Sequence, residues 1–411
     1  MLRIAVVNPF DPMPGEAALE ARYATLCRVL AGRGHRVHWY SSDFSHLFKK
    51  ARDAAAVAAA AGALGYTATL AGTAPYRGNV SWSRLASHRR LARELDGLWR
   101  IGGERYDLVL VSLPPPALGL AAARWARDME ARLVLDVQDL WPQTFARFWP
   151  AGLRWFNSVV FAGMIHDARK AHRLADAVVG VADEYVEHAR SYLPAEAPRA
   201  VMPLGVDLAA FDQAVRPLSR FNLNKPASQT WLFASGSLGR YFDIDAVVLL
   251  MRELARRAPE GCLLNIVGSG DAEADLRRRI AEEGLRNVTM LGRVDDELFA
   301  SLAAASDVAV LPIRPDAHVY LPNRVFQYFA AGLPIVSTIR GSLEHLLAEY
   351  QAGLTLDRAD GPGLADAAIR LAQRRQALVG DHRARRGEWV RQMDRWSIAN
   401  RFADFLESAA R

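Results

Sequence analysis

The sequence predicts an α/β protein built on two doubly wound parallel sheets, and three observations carry that expectation. Short apolar runs alternate with amphipathic stretches along the chain, as strands joined by crossover helices do. Several runs are nearly continuous in Val, Ile and Leu, which suits strands covered on both faces. The 411 residues make two or three ordinary domains, and a polar, proline-broken segment lies near the middle.

In order, the chain opens MLRIAVVNPF, which reads as a strand over 3–7 because the long apolar run and small-residue cleavage site of a signal peptide are missing. Leu19, Tyr23, Leu26 and Leu30 recur at helical spacing, and Gly32 and Gly34 end that helix before a strand over 36–40. Residues 54–76 carry no charge, but they are mostly Ala, Gly and Thr, so a membrane span is not expected there. Further strands are expected at 108–113, 133–137 and 177–181, then at 231–234, 263–267, 288–291, 308–313 and 335–338. Residues 213–229, broken by Pro217 and Pro226, read as a linker between a domain over 1–212 and one over 230–385. After Arg385 one long helix is expected over 386–411, with Trp389, Met393, Trp396 and Phe402 available for packing. Doubly wound sheets bind ligands at the carboxyl ends of their strands, so the two domains are expected to face each other across the cleft where chemistry occurs.

Composition narrows the function classes. An apolar share of 51% with 23% charged residues excludes disorder, collagen-like repeats and a disulfide scaffold. Cys27 and Cys262, one in each half, fit a reducing, cytoplasmic compartment. The ten histidines are scattered, with no metal-ligand spacing, so no metal site is expected. The net charge of +6 lies mostly in the first half, and no nucleic-acid motif accompanies it, so nucleic acid is not an expected partner.

Several segments can carry chemistry. Gly268-Ser-Gly270 follows a strand and precedes a charged helix, a place where backbone N–H groups cradle phosphate or where the chain simply turns. Gly236-Ser237-Leu238-Gly239-Arg240 is a second glycine loop, with a cation attached. In LPNRVFQYFAAGLPIVST, Asn323 and Arg324 open a short helix, and Arg can grip a diphosphate bidentately or be a solvated helix-end charge. LVLDVQDLWP places Asp136 and Asp139 at a strand end before Trp141-Pro142, where a carboxylate accepts a proton, holds a sugar hydroxyl or caps the turn. NPFDPMPGE brings Gly15 before the first helix, in a loop suited to close approach by a ligand or to a sharp exit. Asp243 and Asp245 open a helix and read as caps rather than metal ligands. Two aromatic and basic stretches remain, one from Trp82 with Arg84, His88, Arg89, Arg90 and Arg93, and one from Trp141 to Phe161. Each suits an anionic membrane surface; core packing explains the Trp-rich one as well, and a solvated helix face explains the basic one.

With these residues in view, the chain resembles a family 4 glycosyltransferase of the GT-B fold over nearly all its length. VGSGDAEADLRRR, NVTMLGRVDDELFASLAAASDVAVLPI and LPNRVFQYFAAGLPIVST follow the family's order and spacing, while NPFDPMPGE, GHRVHWYSSDFSHLFKK, LVLDVQDLWP and MPLGVD resemble the bacterial branch that builds extracellular and lipopolysaccharide sugars. The resemblance implies two Rossmann-like domains with the C-terminal helix crossing back to the first. It also implies transfer of a sugar, with retention, from a UDP- or GDP-linked donor without an obligatory metal or other cofactor. The implied acceptor is a saccharide, soluble or linked to polyprenyl diphosphate, met at the inner face of the cytoplasmic membrane.

Carried over by position, Arg324 takes the place of the family lysine at the diphosphate, with Asn323 beside it and Gly236, Ser237, Arg240, Gly268 and Gly270 around the same phosphates. Gln327 and Val319 stand where the family has the two glutamates of its Glu-x7-Glu motif, and Phe242 where it has a loop lysine. Asp139, or Gln138 beside it, lies near the family's His position, with Gly15, Glu16 and Trp141 on the acceptor side. The two absent glutamates keep open a non-catalytic sugar-nucleotide-binding subunit and a GT-B epimerase. Without a metal, the leaving diphosphate's charge must be met by Arg side chains, loop N–H groups and helix ends, and the sequence has all three.

Overall fold

The computed structural model describes residues 1–16, 21–76, 78, 81–258 and 261–411, without the side chains of 147, 148 and 151. The chain divides into two compact units, residues 1–204 with 395–411, and residues 205–394.

The first unit holds β1 (Arg3–Val7), β2 (Arg36–Ser42), a small antiparallel hairpin of β3 (Phe44–Ser45) and β4 (Lys50–Ala51), β5 (Thr67–Ala71), β6 (Leu108–Leu113), β7 (Arg132–Val137), β8 (Ala177–Gly180) and β9 (Arg199–Val201). Seven of these form a parallel sheet in the order β5-β2-β1-β6-β7-β8-β9. The chain winds outward from β1 to β5, then returns to β6 and winds the other way, so the strand order reverses at β1 and β6. The Val, Ile and Leu runs become strands because both faces are covered: Ile4, Val6, Leu108 and Leu110 on one face and Ala5, Val7, Val109 and Val111 on the other are all fully buried.

Helix Arg22–Gly32 buries Tyr23, Leu26 and Leu30 on one stripe. Leu19, expected on that stripe, lies outside the described residues. Gly34 (φ +85) donates to the Ala31 carbonyl and His35 to the Leu30 carbonyl, closing the helix as the two glycines predict. The C-terminal helix Arg395–Ala409 belongs to this unit, with Phe402 and Leu406 buried in the same core as Leu26 and Leu30. Arg33 clamps it by ion pairs to Asp404 (2.6 Å) and Glu407 (3.1 Å).

The second unit holds β10 (Thr230–Ser235), β11 (Cys262–Val267), β12 (Val288–Gly292), β13 (Val308–Leu311), β14 (Ile335–Ser337) and β15 (Gly353–Thr355), parallel in the order β12-β11-β10-β13-β14-β15. Its strand order reverses at β10 and β13.

Three expectations are corrected. Residues 213–229 do not form a free linker: Arg216 pairs with Glu297 at 2.8 Å and Lys225 with Asp307 at 2.6 Å, binding the segment to the second unit. The boundary falls instead at 204/205. The expected helix over 386–411 is two pieces, because Asp394 is extended (φ −64, ψ 134) between the 3-10 turn Glu388–Met393 and helix Arg395–Ala409. The turn stays with the second unit, where Trp389 stacks on Tyr350 at 4.4 Å. The uncharged stretch 54–76 becomes helix Ala54–Ala63 and strand β5, and among the described residues no helix is long and apolar enough to cross a membrane.

Candidate active site

In the second unit the predicted phosphate-binding residues gather at the carboxyl ends of β10, β11 and β13. The Gly236 and Gly268 loops pack backbone to backbone. A Cβ on Gly268 would lie 1.8 Å from the Gly236 carbonyl oxygen, and one on Gly270 would lie 2.5 Å from that of Leu238. The amides of Gly236, Leu238 and Gly268 donate to Val267, Ser269 and Gly292, so they hold the loops together and do not point at a ligand. Leu238 anchors the loop in the core, leaving Ser237 and Arg240 exposed above it.

Helix Arg324–Ala330 is pinned beside this loop by Tyr328. Its fully buried hydroxyl accepts from the Ser235 amide (2.8 Å) at the end of β10, and burial pushes its pKa up. Asn323 is exposed at the N-cap, while Arg324 and Gln327 are half-buried. Arg324 donates to Gln327 Oε1 at 2.9 Å, lies over the Phe299 ring at 5.4 Å, and has its Cγ about 4.0 Å from where a Gly236 Cβ would stand. The structure thus brings Gly236 and Arg324 together, as the motif reading expects. Gln327, in the place of an acid, orients the arginine.

Arg293, which sequence reasoning passed over, follows β12 and donates to Ser269 Oγ at 3.1 Å; its only signal is a cation directly after a strand end. Phe242 is a core residue bridged to Ile313, so no cation could occupy that position. Asp243 caps helix Ile244–Arg257 through the Ala246 amide and pairs with Arg358, so the capping reading holds. Among the described residues no group of His, Cys, Asp and Glu could hold a metal ion.

In the first unit the strand ends are occupied differently. Asn8, fully buried after β1, donates to Ser112 Oγ (3.0 Å) and accepts from the Phe10 and Asp11 amides, fixing the start of the NPFDPMPGE loop. Gly15 turns the loop at φ +83. Glu16 has partners within the protein: it takes both a loop amide and the buried Arg52 guanidinium at 3.1 Å. Arg52 in turn donates to Ser41, Ser42 and Asp11. Asp136 is also structural, accepting from Arg22, Tyr23 and Gln138 with no exposure of its own, which commits Gln138 as well.

Asp139 remains half-buried. Its two oxygens accept from the Leu140 amide and from Trp141 Nε1, each at 2.8 Å, so it caps the turn and orients the indole. Trp141 stacks on His88 (5.7 Å), and Arg84 lies over its ring at 4.6 Å. Around them stand Phe10, His46, Lys49 and Tyr76. His46 shares Nδ1 with Tyr76 Oη (2.7 Å) and Lys49 Nζ (3.2 Å), and Phe10 meets both histidines edge-on. Burial, then Arg84, pulls the His46 and His88 pKa values down to about 3, so both rings are neutral near pH 7. Arg84 and Lys49 are likewise lowered, chiefly by burial.

Helix Trp82–Gly102 divides the expected basic face: Arg89, Arg90 and Arg93 are solvated, whereas His88 is buried and Arg84 reaches inward. The Trp-rich stretch divides too. Phe145 is buried, whereas Trp155 is 64% exposed and Leu153, Phe156 and Val159 are exposed with it. Trp82, 70% exposed, rests on Phe161, the residue after helix Phe156–Val160.

Comparisons with known proteins bear on the family and the fold. A family model described as Glycosyltransferase Family 4 matches residues 19–210, and one described as Glycosyl transferases group 1 matches residues 230–374. The chain is 26% identical to a phosphatidyl-myo-inositol mannosyltransferase of Mycolicibacterium smegmatis over 97% of its own length and 92% of that protein's. It is 30% identical to a D-inositol 3-phosphate glycosyltransferase of an Arthrobacter species, a match that spans 40% of each. Its fold follows the sucrose-phosphate synthase of Thermosynechococcus elongatus (TM-score 0.71, 16% identity, 99% of both chains). It also follows Anabaena HepE, solved with UDP and glucose (TM-score 0.64, 16% identity, 99% of this chain and 100% of that one).

Proposed function

Because the chain belongs to the group 1, family 4 glycosyltransferases, one model matching each unit, we propose that it moves a sugar from a nucleoside diphosphate to a saccharide acceptor with retention of configuration. The observation that carries the reading is Arg324, half-buried on a helix pinned by Tyr328 and set against the Gly236 loop. As the sugar's bond to the diphosphate breaks, negative charge grows on the leaving oxygens, and a fixed guanidinium stabilises it without reorganising. Exposed Ser237 and Arg240 complete the cradle. The donor is UDP- or GDP-linked; the HepE structure, solved with UDP, supports the first and the mannosyltransferase relative a mannose-type sugar.

The acceptor belongs to the first unit. Trp141, half-buried beside His88 and Arg84, adds apolar surface to the acceptor side, and Asp139 takes the proton of the attacking hydroxyl as the new glycosidic bond forms. The acceptor saccharide is lipid-linked, carried on polyprenyl diphosphate at the inner face of the cytoplasmic membrane. Exposed Trp82, Trp155, Phe156 and Val159, with Arg154 among them, suit an interface of acyl chains and anionic headgroups.

Incubation with a panel of sugar nucleotides, with and without a lipid-linked acceptor, tests the reading by release of nucleoside diphosphate. Acceptor-dependent release is expected. Tight donor binding without turnover would make the chain a binding subunit, and a new sugar nucleotide would make it an epimerase. Co-sedimentation with anionic vesicles and not with neutral ones is expected, and Trp155→Ser with Val159→Ser should reduce it.

A further inference from the structure

The second unit contains a cavity of about 280 Å³ that opens at the amino ends of β14 and β15, the edge of the sheet opposite the Gly236 and Gly268 loops. Four arginines line it, Arg374, Arg375, Arg385 and Arg386, against the stacked rings of Tyr350 and Trp389. Arg375 is 1% exposed. Its Nη2 donates to the Ala304 and Ala331 carbonyls at 3.2 Å, but among the described residues its buried Nε and Nη1 meet no acceptor, and neither does the buried Nε of Arg385. Two of the carboxylates around it are already engaged, Asp212 by Arg386 and His382, and Asp307 by Lys225. Burial, then Arg385, draws the Arg375 pKa down to about 10, a sign that negative charge is short there.

A buried guanidinium short of acceptors is costly unless negative charge lies close by, and the arginines that line the cavity fit the oxygens of a phosphate. We propose that this cavity is a binding site for a small phosphate-bearing anion, separate from the site at the carboxyl ends of the strands. The site reaches the transfer machinery through one helix. Arg386 Nε donates to the Ala330 carbonyl at 2.5 Å and Arg375 to that of Ala331, so both hold the carboxyl end of the helix whose first residue is Arg324. An anion that orders these arginines steadies that helix, and its occupancy should tighten donor binding.

The test is calorimetric titration of the full chain with inorganic phosphate and, separately, glucose 1-phosphate, at constant ionic strength and with chloride as control. An Arg324→Ala background removes phosphate binding at the donor site. Saturable binding is expected in that background, and Arg385→Gln or Arg374→Gln, at partly and largely exposed positions, should weaken it tenfold or more. Equal affinity for the two probes supports inorganic phosphate as the occupant; tighter binding of glucose 1-phosphate supports a phosphorylated sugar using the Trp389 wall. Loss of all phosphate binding in Arg324→Ala, or unchanged binding in both glutamine variants, would overturn the proposal. So would an equal response to chloride. None of these outcomes depends on transfer activity.

Discussion

The two units share one architecture and differ in what they place at the same point of it. Each is a parallel sheet whose order reverses once, and each gathers its notable residues at the carboxyl ends beside that reversal. In the second unit that place holds two glycine loops fused through their backbones, with Arg324 and Arg293 beside them. In the first it holds aromatic rings, two neutral histidines, Asp139 and the partly desolvated cations Arg84 and Lys49. One suits a compact, strongly charged diphosphate. The other suits a sugar ring with hydroxyls. The fold supplies the position, and side-chain chemistry decides the ligand.

The widest separation between the units is expected in Asp139→Ala, which should lower turnover about 100-fold or more while donor affinity stays within about twofold. Steady-state kinetics beside donor titration reads both, and normal turnover would remove Asp139 from its role. Next come the cores. Phe402→Ala should cost the first unit about 3–5 kcal/mol by opening a cavity under the C-terminal helix, measured by denaturant unfolding.

The glycine loops give a direct contrast. Gly268→Ala forces a methyl into the Gly236 carbonyl at a positive φ and should cost about 3 kcal/mol, weakening donor binding with it. Gly15→Ala in the first unit meets nothing closer than 3.9 Å among the described residues and should cost only about 1 kcal/mol from its φ. Equal costs would erase the distinction between a fused loop and an open one. Taken per pH unit, the gentlest effect is in pH. His88 stays neutral in the folded chain down to about pH 3, whereas in the unfolded chain it takes a proton near its ordinary value of about 6.5. Stability should therefore fall as pH drops from about 6.5 towards 3 and be flat above. His88→Gln should flatten that limb by about 1 kcal/mol per pH unit.

Most of the sheet framework was legible because buried parallel strands are written as unbroken Val, Ile and Leu runs. The strands that escaped are β5, β9 and β15 with the β3–β4 hairpin: β9 and β15 are three-residue edge strands, and the TATLA of β5 hides in an alanine-rich tract. The supposed linker misled because its polarity serves ion pairs to Glu297 and Asp307, some eighty residues away, which no local pattern reveals. Arg324 and Gly236 could be found from motif and spacing. The convergence of Phe10, His46, Tyr76, Arg84 and His88 on Trp141 could not, because five separate segments meet only through the topology. Glu16 likewise has a partner that its local sequence does not reveal, the guanidinium of Arg52.

The central claim is that the Arg324 helix and the Gly236 loop form a diphosphate site that works without a divalent ion. It is tested most directly by calorimetric titration of UDP and GDP into the purified chain in the presence of EDTA, alongside Arg324→Ala. Saturable binding of at least one nucleotide, weakened about 100-fold by the substitution, is the predicted result. Absence of binding by either nucleotide in EDTA, or full affinity in the Arg324→Ala protein, would contradict it.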